Sequence, residues 1–272
     1  VTPDRKGAVP LFHESWPEKG VRPLFATAVL IAAIVATALG ANNEDSRTDR
    51  SPSVGGLRRS FVTGGASTAD WLQWGGPGRN FMPDATGLAS NWPSGGPKRL
   101  WTRALGEGHS AILVEGGRIY TMYRPLGMMS LVHRSQEEVV AALDAATGKT
   151  AWEFKYAAPT DGLDFSQGAG PHATPLIAGN RLYAMSSRKE LFALDKATGQ
   201  RVWSHDFMKE YGASSPGRGY SCSPLLYNGT IIVTVGGPGQ AVAAFDRQTG
   251  ALAWKAGDFE MAPASPILID VD

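Results

Sequence analysis

A pattern that recurs every 51 residues constrains this chain more than any other feature. The segments VVAALDAATGKTAW (139–152), ELFALDKATGQRVW (190–203) and AVAAFDRQTGALAW (241–254) align without a gap. Asp144, Asp195 and Asp246 share one register, as do Gly148, Gly199 and Gly250, and as do Trp152, Trp203 and Trp254; Trp101, in GGPKRLW, falls one period earlier. Self-similarity at such a period signals stacked supersecondary units. A residue required once per unit serves the architecture, so we read these aspartates as turn formers and these tryptophans as packing residues.

A second element precedes each copy: HSAILVEGGRIYTM (109–122), ATPLIAGNRLYAM (173–185) and SPLLYNGTIIVTV (223–235), with ASPILIDVD closing the chain. Each is two short apolar runs around a Gly- or Asn-containing turn, which predicts a hairpin. With the later segment this makes four strands per unit. In the D-x-x-T-G turn, Asp and Thr side chains bond nearby backbone N–H groups, and Gly takes a positive φ that other residues resist. The aromatic that follows buries a large area and needs a partner for its indole N–H. One unit cannot bury both of its faces, so units must stack radially. The predicted fold is all-β, a β-propeller of four-stranded blades preceded by an N-terminal hydrophobic helix.

The A-[LF]-D-x-x-T-G-x-x-x-W pattern resembles the tryptophan-docking repeat of the pyrroloquinoline quinone (PQQ) propeller superfamily, which includes quinoprotein alcohol dehydrogenases and the BamB-like assembly factors. The opening ADWLQWGGPGRNF (69–81), followed by NWPSGGPKRLW, is similar to the start of exported PQQ-like repeat proteins. The resemblance covers about residues 70–272 and implies about eight blades in a complete ring. Three full blades and partial ones, the Trp101 strand and the strand after residue 262, are counted here, so we expect a C-terminally truncated ring. In the enzymes of this superfamily the resemblance implies PQQ on the axis, calcium at its carbonyls, an Asp base and a vicinal Cys-Cys disulfide. This chain has a single cysteine, Cys222, which cannot form that pair or any intrachain disulfide.

Residues 24–41, LFATAVLIAAIVATALGA, form an uncharged apolar run with Lys19 and Arg22 before it and Glu44 and Asp45 after it. This reads as an export segment preceded by a cytoplasmic n-region over 1–23. Ala36-Thr37-Ala38 suits a signal peptidase, and the run is also long enough for a single membrane anchor. The positive-inside rule sends everything after it out of the cytoplasm. Residues 42–69 lack hydrophobic periodicity and read as a flexible linker. With 26 Lys and Arg against 25 Asp and Glu, the net charge of +1 removes the electrostatic case for a nucleic-acid binder.

The loops ahead of each first strand, GEGHS (106–110), GAGPHATP (168–175) and GRGYSCSP (217–224), are equivalent and fall on one rim. His109, His172, Arg218 and Tyr220 are the chemistry-bearing residues that vary there, and they are the ligand-binding candidates. The plainer reading is that the glycines turn the chain and the polar groups are solvated or cap strands. No catalytic set and no metal site are assigned: two histidines lack a third ligand, and neither a nucleophile elbow nor a phosphate loop occurs. Asn228-Gly229-Thr230 matches a glycosylation sequon but falls where a hairpin turn wants Asn-Gly. The expected function is a non-enzymatic binding or scaffold module with protein partners in the cell envelope, of BamB type. The alternative is a periplasmic PQQ-dependent alcohol dehydrogenase, the only reading under which PQQ and calcium are expected.

Overall fold

The D-x-x-T-G turns close the third hairpin edge of three successive four-stranded antiparallel sheets in this computed structural model, which describes residues 70–83, 89, 91–127, 134–168, 170–214 and 217–269. All of these lie in one unit, Ile31–Asp272. The first sheet comprises β1 (Leu113–Glu115), β2 (Arg118–Tyr123), β3 (Glu137–Asp144) and β4 (Thr150–Ala157). The second comprises β5 (Leu176–Ala178), β6 (Arg181–Met185), β7 (Glu190–Asp195) and β8 (Arg201–Asp206), followed by a short helix α1 (Phe207–Tyr211). The third comprises β9 (Leu225–Tyr227), β10 (Thr230–Thr234), β11 (Val242–Asp246) and β12 (Leu252–Ala256). Strand order follows the sequence within every sheet, so each unit is an up-and-down meander.

The three turns are built alike. Asp144 Oδ1 accepts from the N–H and hydroxyl of Thr147 at 2.9 and 2.7 Å, Asp195 Oδ1 from Thr198 at 3.0 and 3.0 Å, and Asp246 Oδ1 from Thr249 at 2.8 and 2.9 Å. The register then slips by one residue at the same place in each sheet, between Ala142 and Leu143, Ala193 and Leu194, and Ala244 and Phe245. A bulge of this kind bends the strand and re-aims the next side chain. Here that side chain is the repeat tryptophan.

Trp101, Trp152 and Trp203 each reach the turn of the following unit. The indole N–H of Trp101 donates to Ala145 O at 2.9 Å, that of Trp152 to Lys196 O at 2.9 Å, and that of Trp203 to Arg247 O at 3.3 Å. Their rings lie so close to Gly148, Gly199 and Gly250 that an added Cβ would sit 2.7, 2.5 and 2.8 Å from ring carbons. Between these docking points the sheet faces are apolar. Tyr120, Met122, Val140 and Ala142 of the first sheet meet Leu182, Ala184, Phe192 and Leu194 of the second in one core cluster. Tyr183, Met185, Leu191 and Ala193 of the second meet Ile231, Val233, Ala243 and Phe245 of the third in another. Burial of such faces against one another is the main driving force of a stacked array.

Residues 71–79 run past the first strand of every unit. Trp71 exchanges backbone hydrogen bonds with Val114 at 2.8 and 2.9 Å, and Leu72 O accepts from Ile177 N at 2.8 Å. The Arg79 guanidinium donates to Pro224 O at 3.3 Å and to Pro266 O at 3.0 Å. The stretch at Trp101 and residues 264–269, both expected as strands, carry no ladder pairing among the described residues. The apolar run 24–41, expected as an N-terminal helix, lies outside the described residues. Among the described residues no helix is long and apolar enough to cross a membrane.

Candidate functional site

The three equivalent loops do meet at one rim, and the contacts are loop to loop. His109 N donates to Pro171 O at 2.8 Å, Asp164 N to Gly217 O at 2.7 Å, and Tyr220 N to Ser187 O at 2.9 Å. A chain of Ser and Thr side chains runs beneath them. Thr174 Oγ1 accepts from Ala111 N at 3.0 Å, Ser223 Oγ from Thr174 N at 3.0 Å, and Ser265 Oγ from Ser223 N at 2.9 Å. Each unit thus presents a hydroxyl to the backbone of the unit before it. The recurring Thr174-Pro175, Ser223-Pro224 and Ser265-Pro266 pairs were the sequence signal for this relay.

His109 and His172, from successive units, stack with ring centroids 4.8 Å apart and planes 16° from parallel. Gly168 makes room for the exposed His109, since a Cβ there would lie 2.4 Å from its Cε1. His172 is half-buried, and burial first, then the neighbouring His109, push its pKa below the ordinary value of 6.5; a hydrogen bond with the Arg218 backbone opposes this and Arg124 adds to it. Arg218 itself is exposed and directs its Nε to Asp164 Oδ2 at 3.2 Å. The Asp164 carboxyl is held below the usual range chiefly by the N–H and hydroxyl of Ser166, with Arg218 contributing.

Tyr220 lies elsewhere. It is fully buried in the core between the second and third sheets, and its hydroxyl donates to Thr234 O at 2.9 Å. Cys222, beside it, is also buried; its thiol donates to Ala262 O at 3.1 Å, and burial raises its pKa. That is the opposite of an activated thiolate. The rim therefore gathers His109, His172 and Arg218, and holds Tyr220 beneath them as a packing residue.

Sequence reasoning missed the buried polar layer under the rim. Arg124 and Glu138 form an ion pair at 2.8 Å with side chains 1% and 0% exposed. Arg124 also donates to Ser135 O at 2.6 Å, Ala158 O at 2.8 Å and Ser187 Oγ at 3.3 Å. Glu138 Oε2 accepts from the Tyr156 hydroxyl at 2.9 Å and from Ser187 N at 3.1 Å, which ties the first unit to the second. Lys189, buried at a positive φ of 64°, donates Nζ to Val235 O at 3.2 Å and so ties the second to the third; burial lowers its pKa. An arginine directly after the apolar strand YTMY was the available hint. At the same repeat position stand Ser187 and Gly236, so periodicity gave no warning.

Two imidazoles and a neutralised guanidinium on ordered loops make a surface that donates and accepts hydrogen bonds. Calcium takes six to eight oxygen ligands, and nitrogen donors beside a fixed cation do not fit that demand. The described rim residues therefore do not fit a calcium-bound quinone.

The repeated turn, the docked tryptophans and the stacked four-stranded antiparallel sheets together define an all-β repeat fold. Its repeats are similar to those of the PQQ-like β-propeller proteins. Residues 136–269 match the family model described as outer membrane protein assembly factor BamB. The chain is 30% identical over 141 residues to quinohemoprotein alcohol dehydrogenase ADH IIB of Pseudomonas putida, covering 47% of this chain and 18% of that protein. It is 32% identical over 79 residues to outer membrane protein assembly factor BamB of Aliivibrio fischeri, covering 29% of this chain and 20% of that one. The chain thus spans about a fifth of the length of the curated relatives it matches. Among solved structures, the quinohemoprotein alcohol dehydrogenase ADHIIG of Pseudomonas putida HK5 overlays with a TM-score of 0.40 at 23% identity, over 57% of this chain and 21% of that one.

Proposed function

We propose that this chain is part of an exported propeller that works as a non-enzymatic binding or scaffold module, with protein partners in the cell envelope. The observation that carries the reading is the match of residues 136–269 to the BamB family model, joined to a rim of exposed polar loops. Those loops are tied to one another by backbone hydrogen bonds, so their side chains are presented on a firm base. Preordered loops lose little entropy on docking a partner. His109 and Arg218 are the rim contacts in this reading, with His172 behind them. Residues 24–41 serve as the export signal or as a single anchor, and place residues 70–272 outside the cytoplasm.

A second reading, a PQQ-dependent alcohol dehydrogenase, is favoured by the 30% identity over 141 residues to a quinohemoprotein alcohol dehydrogenase. One experiment separates the two. A photo-crosslinking residue is placed at His109 or Arg218, and at Tyr227 as an outer-face control, in cells that express the full chain; purified chain is titrated in parallel with PQQ and calcium. Discrete envelope-protein adducts from the rim positions alone support the scaffold. Calcium-dependent PQQ uptake with alcohol-driven dye reduction overturns it.

A further inference from the structure

A groove of about 540 Å³ opens on the outer side of the first interface, between β4 and the β7–β8 hairpin. Phe154, Tyr156 and Phe192 line it from the packed side, with Glu190, Lys155 and Arg201 also lining it. The three rings form one cluster: Phe154 meets Phe192 edge-on at 5.2 Å, and Tyr156 lies 4.8 Å from Phe192.

The repeat supplies an internal comparison. One period later, Phe154 becomes His205, Tyr156 becomes Phe207, and Phe192 becomes Ala243. There the corresponding space is filled: His205 stacks on Phe245 at 4.4 Å, Phe207 lies 5.7 Å from the same ring, and Tyr211 of α1 packs against it at 6.2 Å. Glu190 departs from the repeat more sharply. Its equivalents are Val139 and Ala241, both fully buried and apolar.

The Glu190 carboxylate is half-buried and accepts no hydrogen bond among the described residues. The Tyr156 hydroxyl beside it is committed to Glu138, and Lys209 to Asp206 at 2.7 Å. Burial first, and then Asp206, raise the pKa of Glu190, while Lys209 and Arg201 oppose the rise and Glu138 adds to it. Partial desolvation of an unpaired carboxylate is unfavourable, and an incoming cation relieves it. Arg201, exposed and without an ion-pair partner among the described residues, offers the opposite charge.

We propose that this groove binds a free apolar α-amino acid or an equivalent small zwitterion. The ammonium group sits on Glu190, the side chain lies against the part-exposed Phe154 ring, and the carboxylate turns to Arg201. The volume is in the range of small-ligand sites, and the site is separate from the rim and independent of the scaffold reading.

The test uses the full chain and three probes in calorimetric titrations: L-phenylalanine, phenethylamine, which lacks the carboxylate, and 3-phenylpropanoate, which lacks the ammonium. Phenylalanine binds best and 3-phenylpropanoate at least about tenfold more weakly, as the loss of one charged hydrogen bond requires. Glu190→Gln keeps the shape and Glu190→Val installs the residue the repeat itself carries at position 139; in both, phenylalanine binding falls by about tenfold or more while the fold, checked by circular dichroism, persists. Absence of saturable phenylalanine binding to the unaltered chain overturns the proposal. So does equal binding of 3-phenylpropanoate, or binding that survives both substitutions.

Discussion

Trp152 reaches from the fourth strand of the first sheet into the turn of the second, where its indole N–H bonds Lys196 O at 2.9 Å and its ring fills the space a side chain on Gly199 would need. A Cβ on Gly199 would lie 2.5 Å from Trp152 Cε3, and the backbone there has a φ of 75°. Gly199→Ala therefore combines backbone strain with overpacking and costs about 2–4 kcal/mol. Gly179, at a φ of 62° with nothing within 4 Å of an added Cβ, is the control. Gly179→Ala costs only the conformational strain, about 1 kcal/mol. Urea denaturation of the two variants checks the ordering; equal losses would mean that docking contributes nothing.

Arg124 and Glu138 show what the repeat does not encode. The pair is buried, and its other bonds include Ser135 O, Ala158 O, Ser187 and the Tyr156 hydroxyl. Removing one member leaves a buried charge without its counter-charge, so Glu138→Gln or Arg124→Met destabilises by about 3–5 kcal/mol. The double variant Arg124→Met with Glu138→Leu loses less than the sum of the singles, with a coupling of about 0.5–3 kcal/mol. Chemical denaturation of all four proteins completes the cycle; strict additivity would show that the two groups do not depend on each other.

The turn aspartates give the array a common acid sensitivity. Hydrogen bonds from Thr147, Thr198 and Thr249 hold Asp144, Asp195 and Asp246 below the ordinary aspartate value of 3.8. A depressed folded-state pKa means that the folded chain binds fewer protons than the unfolded one. The associated stability is complete above pH 3.8 and is lost as pH falls through the lowered values. Replacing all three by Asn flattens the stability curve below pH 4 relative to the unaltered chain. Thermal melts from pH 2 to 6, on the scale set by that 3.8, are the measurement, and an unchanged slope would refute the turn assignment.

The architecture was legible because it is written three times. The 51-residue period fixed where Asp144, Gly148 and Trp152 and their copies stand, and turn chemistry fixed what they do. The hairpins fell where the apolar runs placed them, with β1, β5 and β9 each just three residues long. The bulge after Ala142 was not readable, because an extra residue in one strand leaves no mark until the strands are paired. The rim was half legible. His109 and His172 were named from their loops, but their stacking depends on Gly168 and on a carbonyl of Pro171. Tyr220 shares a loop with Arg218, yet two residues along the chain it turns into the core, where Thr234 O accepts a hydrogen bond from its hydroxyl. Arg124, Glu138, Lys189 and Glu190 escaped notice for one reason. Each breaks the repeat, and periodicity reveals only what is repeated.

The histidine stack carries the last prediction. His172 is disfavoured as a cation by burial, by His109 across the stack and by Arg124 below, against one opposing backbone hydrogen bond at Arg218. Its folded-state pKa lies under the unfolded value of 6.5, so the folded chain gives up stability as pH falls from 6.5 through the lowered value. Protonation of both rings would place two like charges at a centroid separation of 4.8 Å. His172→Phe keeps an aromatic ring in the stack and removes the titration, so the part of the pH dependence just below 6.5 disappears while stability at pH 8, well above that value, changes little. Proton NMR of the histidine ring signals follows the same event directly, with the His172 midpoint moving up toward 6.5 in a His109→Phe variant. A His172 midpoint at or above 6.5 in the unaltered chain would show that the ring is solvated and that the loops do not pack it as described.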